Sequence, residues 1–256
     1  MIPFVPELGP SYTRTMKRIL GLTLLGVCGM AHATVYDLKT DWSDASNPNG
    51  TWSYREGNNA LPHVNSWQSS LGGWSSAQPG WARSENNSDR IPFVFRSNGT
   101  ETFAHDFIAG DIVMHTWDGA NGIGNGQGNI AWTSPITGTV SITGAVWMGR
   151  DIGRAVDWSV LKNAVQLTDG HLFSGDSFSR ATPYDLLAGS GGAGSLTNIS
   201  VSTGDVLILK LTTASGSGDF VGMNYTINAT AVPEPTALAV LCLGSVGVWM
   251  LRRRRP

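Results

Sequence analysis

Val206-Leu-Ile-Leu-Lys-Leu211 and Phe220-Val-Gly-Met-Asn-Tyr-Thr-Ile227 decide the fold class. Leu207, Leu209 and Leu211 share one side of an extended chain, and so do Val221, Met223 and Tyr225. An apolar residue at every second position marks a strand with one face in a core, because successive side chains point to opposite faces of a sheet. A helix would need apolar residues three and four apart. Working outward, residues 51–55, 91–95, 111–116, 129–133, 139–148, 158–161 and 164–168 read as further strands. Within 139–148, Val140 and Ile142 alternate and Val146 follows an expected slip at Gly144. Asn47-Pro48-Asn49-Gly50 and Asp169-Gly170 read as turns. Residues 56–90 and 170–198 are polar and Gly/Ser-rich; the first stretch reads as a long irregular loop pinned by Trp67, Trp74 and Trp81. About ten short strands with no convincing helix predict an all-β, two-sheet antiparallel sandwich of the jelly-roll type. No solenoid or propeller period is present.

The two ends have a different composition. Met16-Lys17-Arg18, an apolar run over 19–30 and Ala31-His32-Ala33 form a tripartite export signal. Met16 is the expected start and Ala31 and Ala33 the cleavage motif, so 1–33 is the signal region and 34–231 the exported domain. Export machinery and a signal peptidase are the implied partners. At the other end, Pro233-Glu234-Pro235 precedes an uncharged apolar stretch, 236–251, then Arg252, Arg253, Arg254 and Arg255. Sixteen helical residues span about 24 Å, a little less than the ~30 Å hydrocarbon core. Trp249 at the interface and snorkelling arginines lengthen that reach. The arginines favour the cytoplasmic side, so a helix over 236–251 would hold the domain outside the inner membrane.

This three-part arrangement over 232–256 resembles the PEP-CTERM sorting signal of Gram-negative bacteria. The resemblance implies that an exosortase acts near Pro233, Glu234 and Pro235. It also implies a destination at the cell surface or in the extracellular matrix, in company with exopolysaccharide and biofilm.

The segment 34–231 holds ten Lys and Arg against seventeen Asp and Glu, a net charge of −7 that the whole-chain value of −2 conceals. An acidic domain argues against nucleic acid or anionic lipid as partner. Both cysteines, Cys28 and Cys242, lie in the terminal signals, which excludes a thiol nucleophile or thiolate metal site in the exported domain. The turn and strand motifs at Asp41-Trp42-Ser43-Asp44, Trp132-Thr133-Ser134-Pro135 and Gly204-Asp205 resemble a β-sandwich module of secreted bacterial proteins, similar in outline to carbohydrate-binding jelly rolls.

Nine tryptophans fall in the exported domain: Trp42, Trp52, Trp67, Trp74, Trp81, Trp117, Trp132, Trp147 and Trp158. Exposed indole faces stack on sugar rings, and the polar setting of Trp67, Trp74 and Trp81 makes them the ligand-binding candidates. Arg150, Asp151 and Arg154, with Asp157, make a charged turn suited to an Arg–carboxylate pair and polar binding. Asp118 and Asn121 in the glycine-rich loop are weak calcium candidates, since calcium prefers oxygen ligands. His115 reads as a partly exposed strand residue beside His63, His105 and His171, none at a recognised metal spacing. No G-x-S-x-G turn is present. These readings predict a non-enzymatic surface or matrix protein without a cofactor. The alternatives are a carbohydrate-binding module and, less favoured, a polysaccharide-degrading enzyme.

Overall fold

A computed structural model describes residues 33–67, 74–84, 91–116 and 127–232. The expected export signal before Ala33, the helix expected over 236–251, Pro233 to Pro235, Arg252 to Arg255, Trp117, and the calcium candidates Asp118 and Asn121 lie outside these residues.

Fifteen strands are present among the described residues. In chain order they are β1 (Ala33–Asp37), β2 (Trp52–Glu56), β3 (Asn59–Ala60), β4 (His63–Val64), β5 (Gly80–Ala82), β6 (Phe93–Arg96), β7 (Ile112–His115) and β8 (Gln127–Thr133). Then follow β9 (Gly138–Met148), β10 (Ala155–Lys162), β11 (Val165–Phe173), β12 (Tyr184–Asp185), β13 (Ile199–Val201), β14 (Val206–Thr213) and β15 (Phe220–Ala231). Two short 3₁₀ turns, Leu186–Ala188 and Ala193–Leu196, are the helical content of the described residues. The strands form two antiparallel sheets. A nine-stranded sheet runs β12-β9-β15-β7-β6-β5-β4, with β1 on β15 and β13 on β9; a six-stranded sheet runs β11-β10-β14-β8-β2-β3.

The alternation that decides the fold works as the residue types require. Leu207, Leu209 and Leu211 of β14, beside Trp52, Tyr54, Ile130 and Trp132 of the same sheet, pack with Val140, Ile142, Val221 and Tyr225 of the other in one core between the sheets. The nine-stranded sheet also has a second core on its opposite face. There Trp67 stacks on Phe95 at 4.5 Å and on Phe93 at 5.1 Å, and Phe220 meets all three rings edge-on. Phe93, Phe95 and Val113 point into this second core, while Val94, Ile112 and Met114, one residue out of phase, point into the first.

Several sequence expectations change. The segment 56–90 is no plain loop: it contributes β3, β4 and β5, and Trp67 and Trp81 are buried. His115 is buried between Phe93 and Phe220, because β7 is covered on both faces. No slip occurs at Gly144, which sits opposite Tyr225 in an unbroken register. The Asp169-Gly170 turn is instead the middle of β11; the true reversal lies at Asn163, in the left-handed region at φ 54°.

Gly170 is required by packing. It lies opposite Trp158, and a Cβ there would fall 2.6 Å from Trp158 Cε2 and Nε1. Gly170→Ala should lower stability by about 1–3 kcal/mol, the usual penalty of overpacking a core. The check is the midpoint of urea unfolding; a wild-type midpoint would refute the packing argument.

Candidate functional site

The ladder between β9 and β15 pairs eleven residues, from Gly138 with Ala231 to Met148 with Val221. At the Gly138 end, β1 adds Ala33 opposite Thr230, so Ala33 and Ala231 lie at the same end of the sandwich. The other end lies about 34 Å along β9, at ~3.4 Å per residue. There, a cleft of about 430 Å³ opens between segments 104–106, 148–152 and 173–179.

Backbone geometry builds the cleft floor. Gly149 donates to the Phe220 carbonyl at 2.6 Å and accepts from Asp106 N–H at 2.7 Å. A side chain at 149 would sit 2.9 Å from Phe220 Cβ, so the close approach needs glycine. Trp147 Nε1 donates to the Asp106 carbonyl at 2.6 Å, tying the 104–107 segment down.

Arg150 and Asp151 both line the cleft, but they form no ion pair with Arg154 or Asp157. The Arg–carboxylate pair expected from sequence is therefore corrected. The Arg150 guanidinium lies over Phe103 at 5.1 Å and Trp74 at 5.8 Å, a cation–π arrangement. Its buried Nε has no hydrogen-bond partner among the described residues. Arg154 donates through Nη1 to the Gly218 carbonyl. Asp151 accepts from Ser174 Oγ, and Asp157 pairs with His171 Nδ1 at 2.7 Å on the outside of β10. Other rim carboxylates hold backbone. Asp176 accepts from the N–H groups of Phe173 and Phe178, both at 2.8 Å, and Asp106 from Arg180 N–H at 2.7 Å. Phe173, 48 % exposed, and Ile152, 40 % exposed, supply apolar surface.

Of the three tryptophans proposed for ligand stacking, Trp67 and Trp81 are core residues and present no face to solvent. Trp81 Nε1 instead donates to the Ser43 carbonyl at 2.9 Å. Trp74 is half-buried under Arg150. Among the described residues, no group of three His, Cys, Asp or Glu could hold a metal ion, and no helix is long and apolar enough to cross a membrane.

Two charged features escape sequence reading. Asp111, 2 % exposed, accepts from Arg180 Nε at 2.6 Å and Lys39 Nζ at 3.2 Å, and from Ile108 N–H at 3.0 Å. Burial alone would raise this carboxyl; the bonds from Arg180, Ile108 and Lys39 outweigh it and hold it below the ordinary range. Asp219 is the opposite case. It is fully buried, its Oδ2 has no partner among the described residues, and its other oxygen accepts from Phe220 N–H at 2.7 Å. Burial pushes it up to about 6, against the pull of the Phe220 bond and the Arg154 and Arg150 charges. Nothing in the run Ser215-Gly216-Ser217-Gly218-Asp219 signals burial.

Because the folded-state value of Asp219 is raised, its ionisation opposes folding. The proton-bound contribution is intact below about pH 4 and is lost as pH rises through 6. Asp219→Asn should therefore stabilise the protein on the order of 1–3 kcal/mol at pH 7.5 and converge with wild type near pH 4. Unfolding curves across that range check this; a pH-independent difference would sink it.

No curated protein matches this chain. Residues 231–255 match the PEP-CTERM protein-sorting motif. A motif of this kind implies export, anchoring through the C terminus before processing, and recognition by an exosortase. Joined to an all-β, two-sheet antiparallel sandwich, it makes the chain a bearer of the PEP-CTERM sorting signal.

Proposed function

We propose that this is a non-enzymatic protein of the cell surface or extracellular matrix, delivered by its N-terminal signal and processed through its C-terminal motif, and associated with exopolysaccharide. One observation carries the reading: Ala33 and Ala231 lie at the same end of the β9–β15 ladder, and the Arg150 cleft opens at the opposite end. Asp106, Asp151 and Asp176 each fasten a loop of the cleft rim through a hydrogen bond.

The test is fractionation of the producing cell into membrane, surface and matrix. The full chain should reach the surface or matrix fraction and be co-recovered with exopolysaccharide. Glu234→Ala and deletion of 252–255 should each retain most of it in the membrane or periplasm. Unchanged delivery in both variants would overturn the proposed route.

A further inference from the structure

A second cavity, about 640 Å³, lies apart from the cleft, against the six-stranded sheet. The register of β10 with β14 and β11 sets Ser159 between Lys210 and Asp169, and Asp157 between Thr212 and His171. These six residues line the cavity. They point away from the main core, because the alternating residues Val156, Trp158, Val160, Leu209 and Leu211 point into it.

Three features of this surface call for a ligand. Ser159 is 5 % exposed and its Oγ has no hydrogen-bond partner among the described residues. A buried polar group left unmatched costs roughly 1–3 kcal/mol, and such a group asks for an explanation. Lys210 forms no ion pair among the described residues. Around them, acceptors and donors alternate. Asp157 uses one oxygen for His171 Nδ1, Asp169 uses one for Ser190 Oγ, and the Thr212 hydroxyl can take either role.

We propose that this cavity binds a hydroxylated carboxylate, the chemistry of a sugar acid. Its carboxylate would lie between Lys210 Nζ and Ser159 Oγ. Its hydroxyls would donate to the remaining oxygens of Asp157 and Asp169 and accept from Thr212. A neutral sugar would leave Lys210 unpaired. A phosphate would bring nearly two negative charges between two aspartates, with one lysine to offset them. The same chemistry occurs in a free sugar acid and in a uronate unit of a polymer. The proposal rests on the surface reading above only for where such a polymer would be met.

The experiment is calorimetric titration of the full chain in mild detergent with glucuronate, a galacturonate oligomer, a neutral glucan oligomer and inorganic phosphate. Saturable binding of a uronate, weakened by salt, is expected. Lys210→Ala and Ser159→Ala should each lose about tenfold or more, as for a hydrogen bond to a charged group, while Arg150→Ala binds as wild type. Glucuronate binding as tightly as the oligomer assigns a free sugar acid; much tighter oligomer binding assigns a polymer. A uronate-dependent rise in Tm that Lys210→Ala lacks gives the same answer in samples shown to be folded. Absence of uronate binding, equal binding of glucan or phosphate, or an unaffected Lys210→Ala would each overturn the site. Because delivery is read by fractionation, loss of this site with delivery intact leaves the surface reading standing.

Discussion

Everything in this domain is hung on the antiparallel ladder between β9 and β15. Eleven residue pairs join them without a break in register. On its other flank β15 takes two partners in succession: β7 opposite Phe220–Met223 and β1 opposite Thr226–Thr230. One pair of strands thus spans the distance from the terminal connections to the cleft. Such a span depends on an uninterrupted two-residue period, since a slip of one residue would turn every side chain to the wrong face. Gly138 and Gly144 keep it close: a Cβ at either position would run into the β15 backbone, at the Thr230 and Asn224 carbonyls.

The second constraint is that the nine-stranded sheet is covered on both faces. Over Phe220–Met223 the burial of β15 is continuous, whereas from Asn224 onward buried and open positions alternate. The change marks the edge of the aromatic layer around Trp67, Phe93, Phe95 and Phe107. Aromatic rings bury about 150–250 Å² each, so a few of them can cover a sheet face where the described residues supply no third sheet. The same layer explains why Trp67 is unavailable to a ligand, while Trp81 is buried in the other core, stacked on Tyr54. It also shows how the cleft floor is made: Phe220 belongs to this layer and, through its carbonyl, holds Gly149.

What was legible in sequence follows from how local the cause is. β14 and β15 read cleanly because their pattern is carried by consecutive residues. The sorting motif read cleanly because its three parts are contiguous. Arg150 and Asp151 were found as a charged run and do line the cleft, but what each touches comes from elsewhere: Phe103 and Trp74 for one, Ser174 for the other. Arg180 could not be paired with Asp111 across 69 positions of sequence. Asp169-Gly170 misled because a dipeptide's turn preference is weaker than the demand of the Trp158 ring for a residue without a side chain. Ser159 and Lys210 were invisible as a site because only the β10–β14 register makes them neighbours.

The acidity of the exported domain has a structural origin that bears on any ligand argument. Between 34 and 231 there are fourteen aspartates to three glutamates, an imbalance that bulk solubility does not require. The shorter side chain reaches nearby backbone, as Asx turns and caps need. Asp37, Asp41, Asp106, Asp111, Asp176, Asp185, Asp205 and Asp219 each accept from a main-chain N–H. In a cysteine-free domain these bonds do the fastening of loops that disulfides do in many exported proteins. Asp205, held down to about 2 by Ser202 N–H, Asn163 and Lys162, shows how firmly the ionised form is used. The negative charge is thus largely spent inside the loops, which is why an acidic protein can still present, at Lys210, a cation with no acidic partner among the described residues.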